Sequence, residues 1–419
     1  MFNPFFKKVI LWNQSSIDTI RVMSINLSFI KSTLLLFFCL TACATKKIEP
    51  QILPIKPGAE NFEDYLDRLT DLNIGLVANQ SSVVNSDGGL VHLVDTLQSL
   101  SVSLVKVFAP EHGFRGVADA GEKIDNLVDP KSGLTINSLY GENYKPTDKS
   151  IEGIDLMLFD LQDVGARFYT YLSTLHYVME ACAENDIPLI VLDRPNPNIH
   201  LIDGPVLDMA HSSFVGMHPV PIAYGMTIGE YAQMINGQGW LENQIKADLT
   251  VIPIKNYTRK SIYAPPIKPS PNLPNLQSIY LYPSLCLLEP TVISVGRGTD
   301  KQFQVFGHPQ LRILDYSFVP EPNQGAKNPK HNGELCFGKD LSNYPRPEKI
   351  ELQWLMEAYV YFPDRESFFL KGFSRIAGND LLEIQIKNGY NAQQIRSSWK
   401  KDLEEFLKIR SPYLIYPDS

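Results

Sequence analysis

IDLMLFDLQDVGARFYTY, residues 154–171, decides how this chain is read. Ile154–Phe159 is a short apolar run without helical period, and it breaks into Asp160, Gln162, Asp163, Gly165 and Arg167. This pattern predicts a buried strand, a polar crossing point and then a helix. The helix is expected to run through Tyr169–Asn185, with Leu172, Leu175, Val178, Met179 and Cys182 on its apolar face. A second apolar run, Pro188–Leu192, ends in Asp193-Arg194-Pro195-Asn196-Pro197. The unit is strand–helix–strand, with polar residues at the carboxyl ends of both strands. In open parallel α/β sheets ligands bind there, because the loops leaving those ends converge above the sheet.

Working outward, Ile74–Ala78 reads as a strand ending at Asn79-Gln80-Ser81-Ser82, and Leu90–Leu100 as an amphipathic segment. Ser103–Ala109 is the next strand and ends at Pro110-Glu111-His112-Gly113. The polar stretch Phe114–Tyr140 is a long loop, a candidate lid or wall over the strand ends. Thr227–Gly237 is a helix with a capping box from Thr227 and Glu230, and Leu249–Ile254 a further strand. Alternation of this kind predicts an α/β fold: a doubly wound, mostly parallel sheet covered on both faces, over residues 60–290. Its last part, Pro265–Pro290, is proline-rich and reads as a rigid connection ending beside Glu289. Gly296-Arg297-Gly298-Thr299 follows, where glycines let the backbone approach a ligand beside an arginine. Residues 291–419, with helices at Leu352–Tyr361 and near Ala392–Leu407, form a smaller C-terminal α+β domain.

The 419 residues carry a net charge of -8, which supplies no basic field for phosphate backbones and sets nucleic acid aside as a partner. Near the N-terminus, Lys31, the apolar Thr33–Leu40 and then Leu40-Thr41-Ala42-Cys43 resemble a bacterial lipoprotein signal cleaved before Cys43. Residues 1–43 are then a signal segment and 44–59 a tether, and the protein is expected to be exported and lipid-anchored at Cys43 to a bacterial membrane, in the periplasm or outer membrane. Cys182, Cys286 and Cys336 have no paired spacing and no zinc pattern.

Glu111, His112, Glu122, Asp160, Asp163, Arg167, Asp193, Arg194 and Asn196 stand mostly just after apolar strands. Any one of them is more often a helix cap or turn residue; together they point to a site at that edge. Several carboxylates with one histidine suit general acid/base hydrolysis, in which one carboxyl protonates a leaving oxygen and another activates water or attacks. A metal held by Glu111, His112, Asp160 and Asp193 ranks second, because the other histidines have no ligand spacing. No GxGxxG follows a candidate first strand, so no dinucleotide is expected. Phe168, Tyr169 and Tyr171 read as sugar-stacking or as core, more often the latter.

Taken together, FAPEHGFRGVADAGEKI, SLYG, LMLFDLQDVGARFYTY, VLDRPNPN, DGPVLD, SFVG, YGMTIGEYA, PSPNLPN, YPSLCLLE, GRGT and RIAGNDLLEIQI resemble the exo-β-N-acetylmuramidase family over about residues 60–415. The resemblance implies a Rossmann-like domain, a smaller C-terminal domain and a cleft. It implies a glycoside hydrolase that removes N-acetylmuramic acid from the non-reducing end of peptidoglycan fragments without a metal or nucleotide cofactor. It makes Glu122 the acid/base candidate, with Glu111 and His112 beside it. Asp160, Gln162, Asp163, Arg167, Asp193, Arg194, Asn196, Glu289, Arg297 and Thr299 would shape the sugar site, with Arg297 or Arg167 gripping the lactyl carboxylate. The chain departs from the family pattern at Val292, Val295 and Tyr224. A metal-dependent esterase and a non-catalytic muropeptide-binding lipoprotein are the alternative readings.

Overall fold

Seven strands build the central sheet of the computed structural model, which describes residues 53–114 and 127–418. They are β1 (Ile74–Ala78), β2 (Leu104–Ala109), β3 (Leu127–Val128), β4 (Thr135–Ser138), β5 (Leu156–Asp160), β6 (Leu189–Leu192) and β7 (Leu249–Ile252). Their order is β7-β6-β5-β1-β2-β4-β3, parallel throughout except for the short edge strand β3. Every residue of β1, β5 and β6 is buried, which explains why they read as unbroken apolar runs: helices cover both faces. From β1 the chain first builds outward through β2 and β4, then returns to add β5, β6 and β7 on the other side. The order therefore reverses between β1 and β5, where doubly wound sheets open a crevice.

The helices follow the expected periods. α1 (Leu93–Ser99), α2 (Tyr171–Glu184) and α3 (Ile228–Gln238) connect or flank the strands. Thr227 and Glu230 form the reciprocal capping box, and Gly239 ends α3 with φ 65°, a left-handed turn that suits glycine. Three expectations need correcting. Leu90–Leu100 is only partly helical, because Gly89–His92 pairs with Val83–Ser86 as a hairpin before α1 begins. Part of the long polar stretch Phe114–Tyr140 is sheet: Thr135–Ser138 pairs with β2, and its polar residues hid it from a hydrophobicity reading. The proline-rich connection contains α4 (Leu276–Leu285), with Pro283 inside it. Proline cannot donate to the carbonyl four residues back. That carbonyl, Ile279, instead accepts from the Asn198 side chain at 2.9 Å, so a distant asparagine restores the missing bond.

The smaller C-terminal domain carries a three-stranded antiparallel sheet, β8 (Val305–His308), β9 (Tyr316–Phe318) and β10 (Cys336–Asp340), in the order β8-β10-β9. Of the helices that follow, α5 (Leu352–Tyr361) is tied to this sheet by the Lys339–Glu357 ion pair, and α6 (Ala392–Arg410) reaches back to Asp203 and Gly225 through Arg396, Trp399 and Arg410. One hydrophobic core runs from Val77 and Phe159 in the large sheet to Phe303, Trp354, Trp399 and Phe406. Cys182, Cys286 and Cys336 are buried and unpaired.

Candidate active site

The β1/β5 crevice is filled by a polar net rather than left open. Ser82 Oγ donates to the Asp160 carbonyl at 2.5 Å, Gln162 N donates to Ser81 Oγ at 3.3 Å, and Asn79 Nδ2 donates to Tyr171 at 2.7 Å. The cavity lies to the side, beyond the ends of β2 and β4 and against the start of α2. It measures about 170 Å³, and Glu111, His112, Tyr140, Thr170, Ser270 and Arg297 supply its polar wall. Phe168, Tyr169, Tyr171, Tyr282 and Phe303 supply the aromatic one.

Glu111 and His112 occupy a tight turn at the end of β2, closed by Gly113 N donating to the Pro110 carbonyl at 3.0 Å. His112 has φ 72°, a conformation that non-glycine residues adopt only where the surroundings enforce it. Its Nε2 lies 3.1 Å from Ser270 Oγ. Glu111 Oε2 accepts from Thr170 Oγ at 2.7 Å, which ties β2 to the residue ahead of α2. Burial, reinforced by the Glu111 charge and its hydrogen bond, pushes the Tyr140 hydroxyl well above its usual range, so Tyr140 stays a donor. Tyr169 and Tyr171 donate to the Pro269 carbonyl at 2.8 and 3.3 Å, fixing the proline-rich connection as the opposite wall. Phe168, Tyr169 and Tyr171 are buried, as expected of core residues, and they are also among the residues that line the cavity.

Several residues expected in the sugar site do not line this cavity and instead hold the fold. Asp160 and Arg194 form a fully buried two-pronged ion pair, with Nε–Oδ1 at 2.5 Å and Nη2–Oδ2 at 2.8 Å. Asp193 caps α3: it accepts from Gly229 N at 2.8 Å, Thr227 Oγ1 at 2.7 Å and Tyr416 at 2.5 Å. Burial pushes its carboxyl up to about 7 against the pull of those donors. Asn196 bonds the Met226 carbonyl at 2.8 Å, and Gln162 bonds the carbonyls of Asp163 and Pro195, each at 2.8 Å. Asp163 accepts from Gly165 N and from Tyr224, one of the three residues at which the chain departs from the family pattern, and burial pushes it up to about 6. Arg167 spends its terminal nitrogens on four carbonyls, those of Pro205, Val220, Ile376 and Ala377, at 2.8–3.0 Å. With no carboxylate beside it, burial lowers it to about 9. Arg167 thus ties the sheet to the C-terminal domain and has no hydrogen on those two nitrogens left for a lactyl group.

Arg297 is different. Its Nε and Nη2 lie 3.0 and 2.8 Å from the same oxygen of Glu289, its guanidinium sits 5.0 Å from the Phe303 ring centre, and a quarter of its side chain is exposed. It borders both the first cavity and a second one of about 350 Å³, lined by Glu289, Ser294, Val295 and Lys330. Thr299 turns its hydroxyl back to the Gly296 carbonyl at 2.7 Å, shaping the loop that presents Arg297. Glu122 and Cys43 lie outside the described residues. The four donors considered for a metal do not converge: Asp160 is taken by Arg194 and Asp193 by the α3 cap. Among the described residues a ligand-like group occurs only at Glu180, Glu184 and Glu242, where Lys145 already reaches Glu180 at 2.8 Å. Sequence reasoning passed over Tyr140, Thr170, Ser270 and Tyr282; each stands inside a quoted motif, but no spacing marks a single hydroxyl as facing a cavity.

Fold and cavity together define a Rossmann-like α/β protein with a carboxylate, an imidazole and a guanidinium around a small aromatic-walled pocket, an arrangement suited to acid/base hydrolysis. Models of the exo-β-N-acetylmuramidase NamZ N-terminal and C-terminal regions match residues 74–277 and 280–416. The chain is 37% identical over 410 residues to the peptidoglycan β-N-acetylmuramidase NamZ of Bacillus subtilis (strain 168), covering 91% of this chain and 97% of that protein. Crystal structures of two DUF1343 family proteins from Bacteroides fragilis NCTC 9343 superpose with TM-scores of 0.81 and 0.73, at 43% and 29% identity, each over 88% of this chain and all of the other. The chain belongs to the exo-β-N-acetylmuramidase family, a family of glycoside hydrolases.

Proposed function

We propose that this chain releases N-acetylmuramic acid from the non-reducing end of peptidoglycan fragments, with Glu111 held by Thr170 at the centre of the site. The relative from Bacillus subtilis, whose name specifies a peptidoglycan β-N-acetylmuramidase, supports the substrate class. The match to the models described as exo-β-N-acetylmuramidase over both regions of the chain supports an exo mode. Arg297 serves as the partner for the lactyl carboxylate, since it reaches the cavity and Arg167 is committed elsewhere. Glu122 is the proton donor to the glycosidic oxygen, while Glu111 with His112 orients water or stabilises the positive charge developing on the ring.

The single observation behind this reading is the Glu111–Thr170 bond of 2.7 Å inside an aromatic-walled cavity. Its test is hydrolysis of a chromogenic β-N-acetylmuraminide beside the matching N-acetylglucosaminide. Cleavage of the first alone is expected; cleavage of both at equal rates, or of neither, overturns it. Loss of hydrolysis on chelation would favour the metal-dependent esterase, and tight muropeptide binding without turnover the non-catalytic lipoprotein. The chain is further proposed to be lipid-anchored through Cys43. Among the described residues no helix is long and apolar enough to cross a membrane. Cys43→Ser is expected to move the protein to the soluble fraction, and unchanged membrane attachment would count against the anchor.

A further inference from the structure

Two of the quoted motifs, SLYG (138–141) and SFVG (213–216), reach the cavity only through Tyr140 and Val215, and the fold brings their remaining ring, Phe214, against Tyr140. Tyr140 lines the cavity, and outside it packs 5.6 Å from Tyr144 and 5.9 Å from Phe214, ring centre to ring centre. Tyr144 and Phe214 lie 4.2 Å apart at a 38° tilt, and Tyr177 of α2 stacks with Phe214 at 6.3 Å. The group is neither core nor isolated surface: Tyr144 is 37% exposed and Phe214 half-buried.

The shelf is held from behind. Phe214 is fixed by Ser173 Oγ, which donates to its carbonyl at 2.7 Å, and by the Ser213–Gly216 backbone pair. Gly141, with φ 107°, turns the chain after Tyr140, and Lys145 anchors the same loop to α2 through Glu180 at 2.8 Å and Glu184 at 2.6 Å. The backbone that carries the two rings is therefore held before any ligand arrives.

We infer that Tyr144, backed by Phe214, forms a platform for the sugar on the leaving side of the scissile bond. The inference rests on the proposed hydrolytic reading and extends it. An exo-acting site holds the terminal sugar and leaves the rest of the fragment outside it, and Tyr140, which lines the cavity together with Glu111, is the lining residue that continues outward into these rings. A pyranose presents an apolar C–H face, and an exposed ring such as Tyr144, joined to the cavity through Tyr140, is suited to cover it. The ligand is thus a neutral hexosamine ring, in contrast with the anionic lactyl group assigned to Arg297.

The test compares two substrates in the full-length protein: the N-acetylmuramyl-β-1,4-N-acetylglucosamine disaccharide and methyl β-N-acetylmuraminide, which lacks the leaving sugar. Tyr144→Ala and Phe214→Ala should each lower kcat/KM on the disaccharide about tenfold and leave the methyl glycoside within about twofold, with Tyr144→Trp retaining the wild-type value. An equal fall on both substrates, or no fall on either, overturns the platform. So does a selective loss in Lys327→Ala instead, which would place the leaving sugar in the second cavity. Should the wild type cleave neither substrate, the hydrolytic reading fails, and calorimetry still decides the platform. Shelf variants must then weaken binding of the disaccharide and not of N-acetylmuramic acid alone.

Discussion

Thr170 donates its hydroxyl hydrogen to Glu111 Oε2 across 2.7 Å, joining the residue ahead of α2 to the turn after β2. Its side chain makes no capping bond to the helix, so its hydrogen-bonding capacity is directed at the carboxylate. Thr170→Val keeps shape and removes the donor. Steady-state kinetics on the muraminide should show kcat lowered about tenfold with KM little changed, and Thr170→Ser should restore it. An unchanged kcat in the valine variant would remove Glu111 from the reaction as proposed.

Glu122 is assigned the proton transfer. Glu122→Gln should lose roughly 10²-fold or more in kcat on the natural disaccharide, and much less on an aryl glycoside whose leaving group needs no proton. Near-wild-type turnover of the disaccharide would sink the assignment.

Arg297 has a guanidinium fork to offer a carboxylate, and lysine does not reproduce it. Arg297→Lys should raise KM for the muraminide about tenfold. Competitive inhibition by N-acetylmuramic acid should weaken in parallel, while inhibition by N-acetylglucosamine stays as it was. Equal weakening of both inhibitors would argue against a carboxylate contact.

Asp160 and Arg194 do not line the cavity, and their pairing concerns stability. Removing one member of a buried pair strands the other charge, at a cost of about 3–5 kcal/mol. Asp160→Asn should show that loss in denaturant unfolding, whereas the double change Asp160→Leu with Arg194→Met should lose less. An equal or larger loss in the double variant would contradict this account.

Asp163 links stability to pH. Burial pushes its carboxyl from 3.8 up to about 6, so between those values the folded chain holds a proton that the unfolded chain has released. Unfolding then gives up a proton, and stability falls as pH rises through that interval, levelling off above about 6, by about 3 kcal/mol in total. Asp163→Asn keeps an acceptor for Gly165 N and Tyr224 and removes the titration, so its melting temperature should be flatter than wild type from pH 4 to about 7. A slope equal to that of wild type would show that Asp163 is not its source.

The chain's local chemistry determined the central strands of the sheet. β1, β5 and β6 are buried on both faces, and that condition writes itself as apolar runs ending in polar residues; Thr227 and Glu230 likewise announced the start of α3. Local chemistry also placed Glu111, His112 and Arg297 near a site, because each stands at an abrupt change from apolar strand or glycine turn to charge. Only the tertiary structure decided which charged groups face the cavity and which hold the fold. Asp160 and Glu111 both follow strands and read alike, but Arg194, 34 residues later, reaches one, and Thr170, 59 residues later, the other. Arg167 and Arg297 are likewise two arginines beside glycines. Four backbone carbonyls claim the first, two of them more than 200 residues away, while the second meets a single carboxylate at the wall between two cavities. A buried ion needs partners from wherever the fold can bring them, and the chain's neighbour-by-neighbour pattern carries no record of that distance.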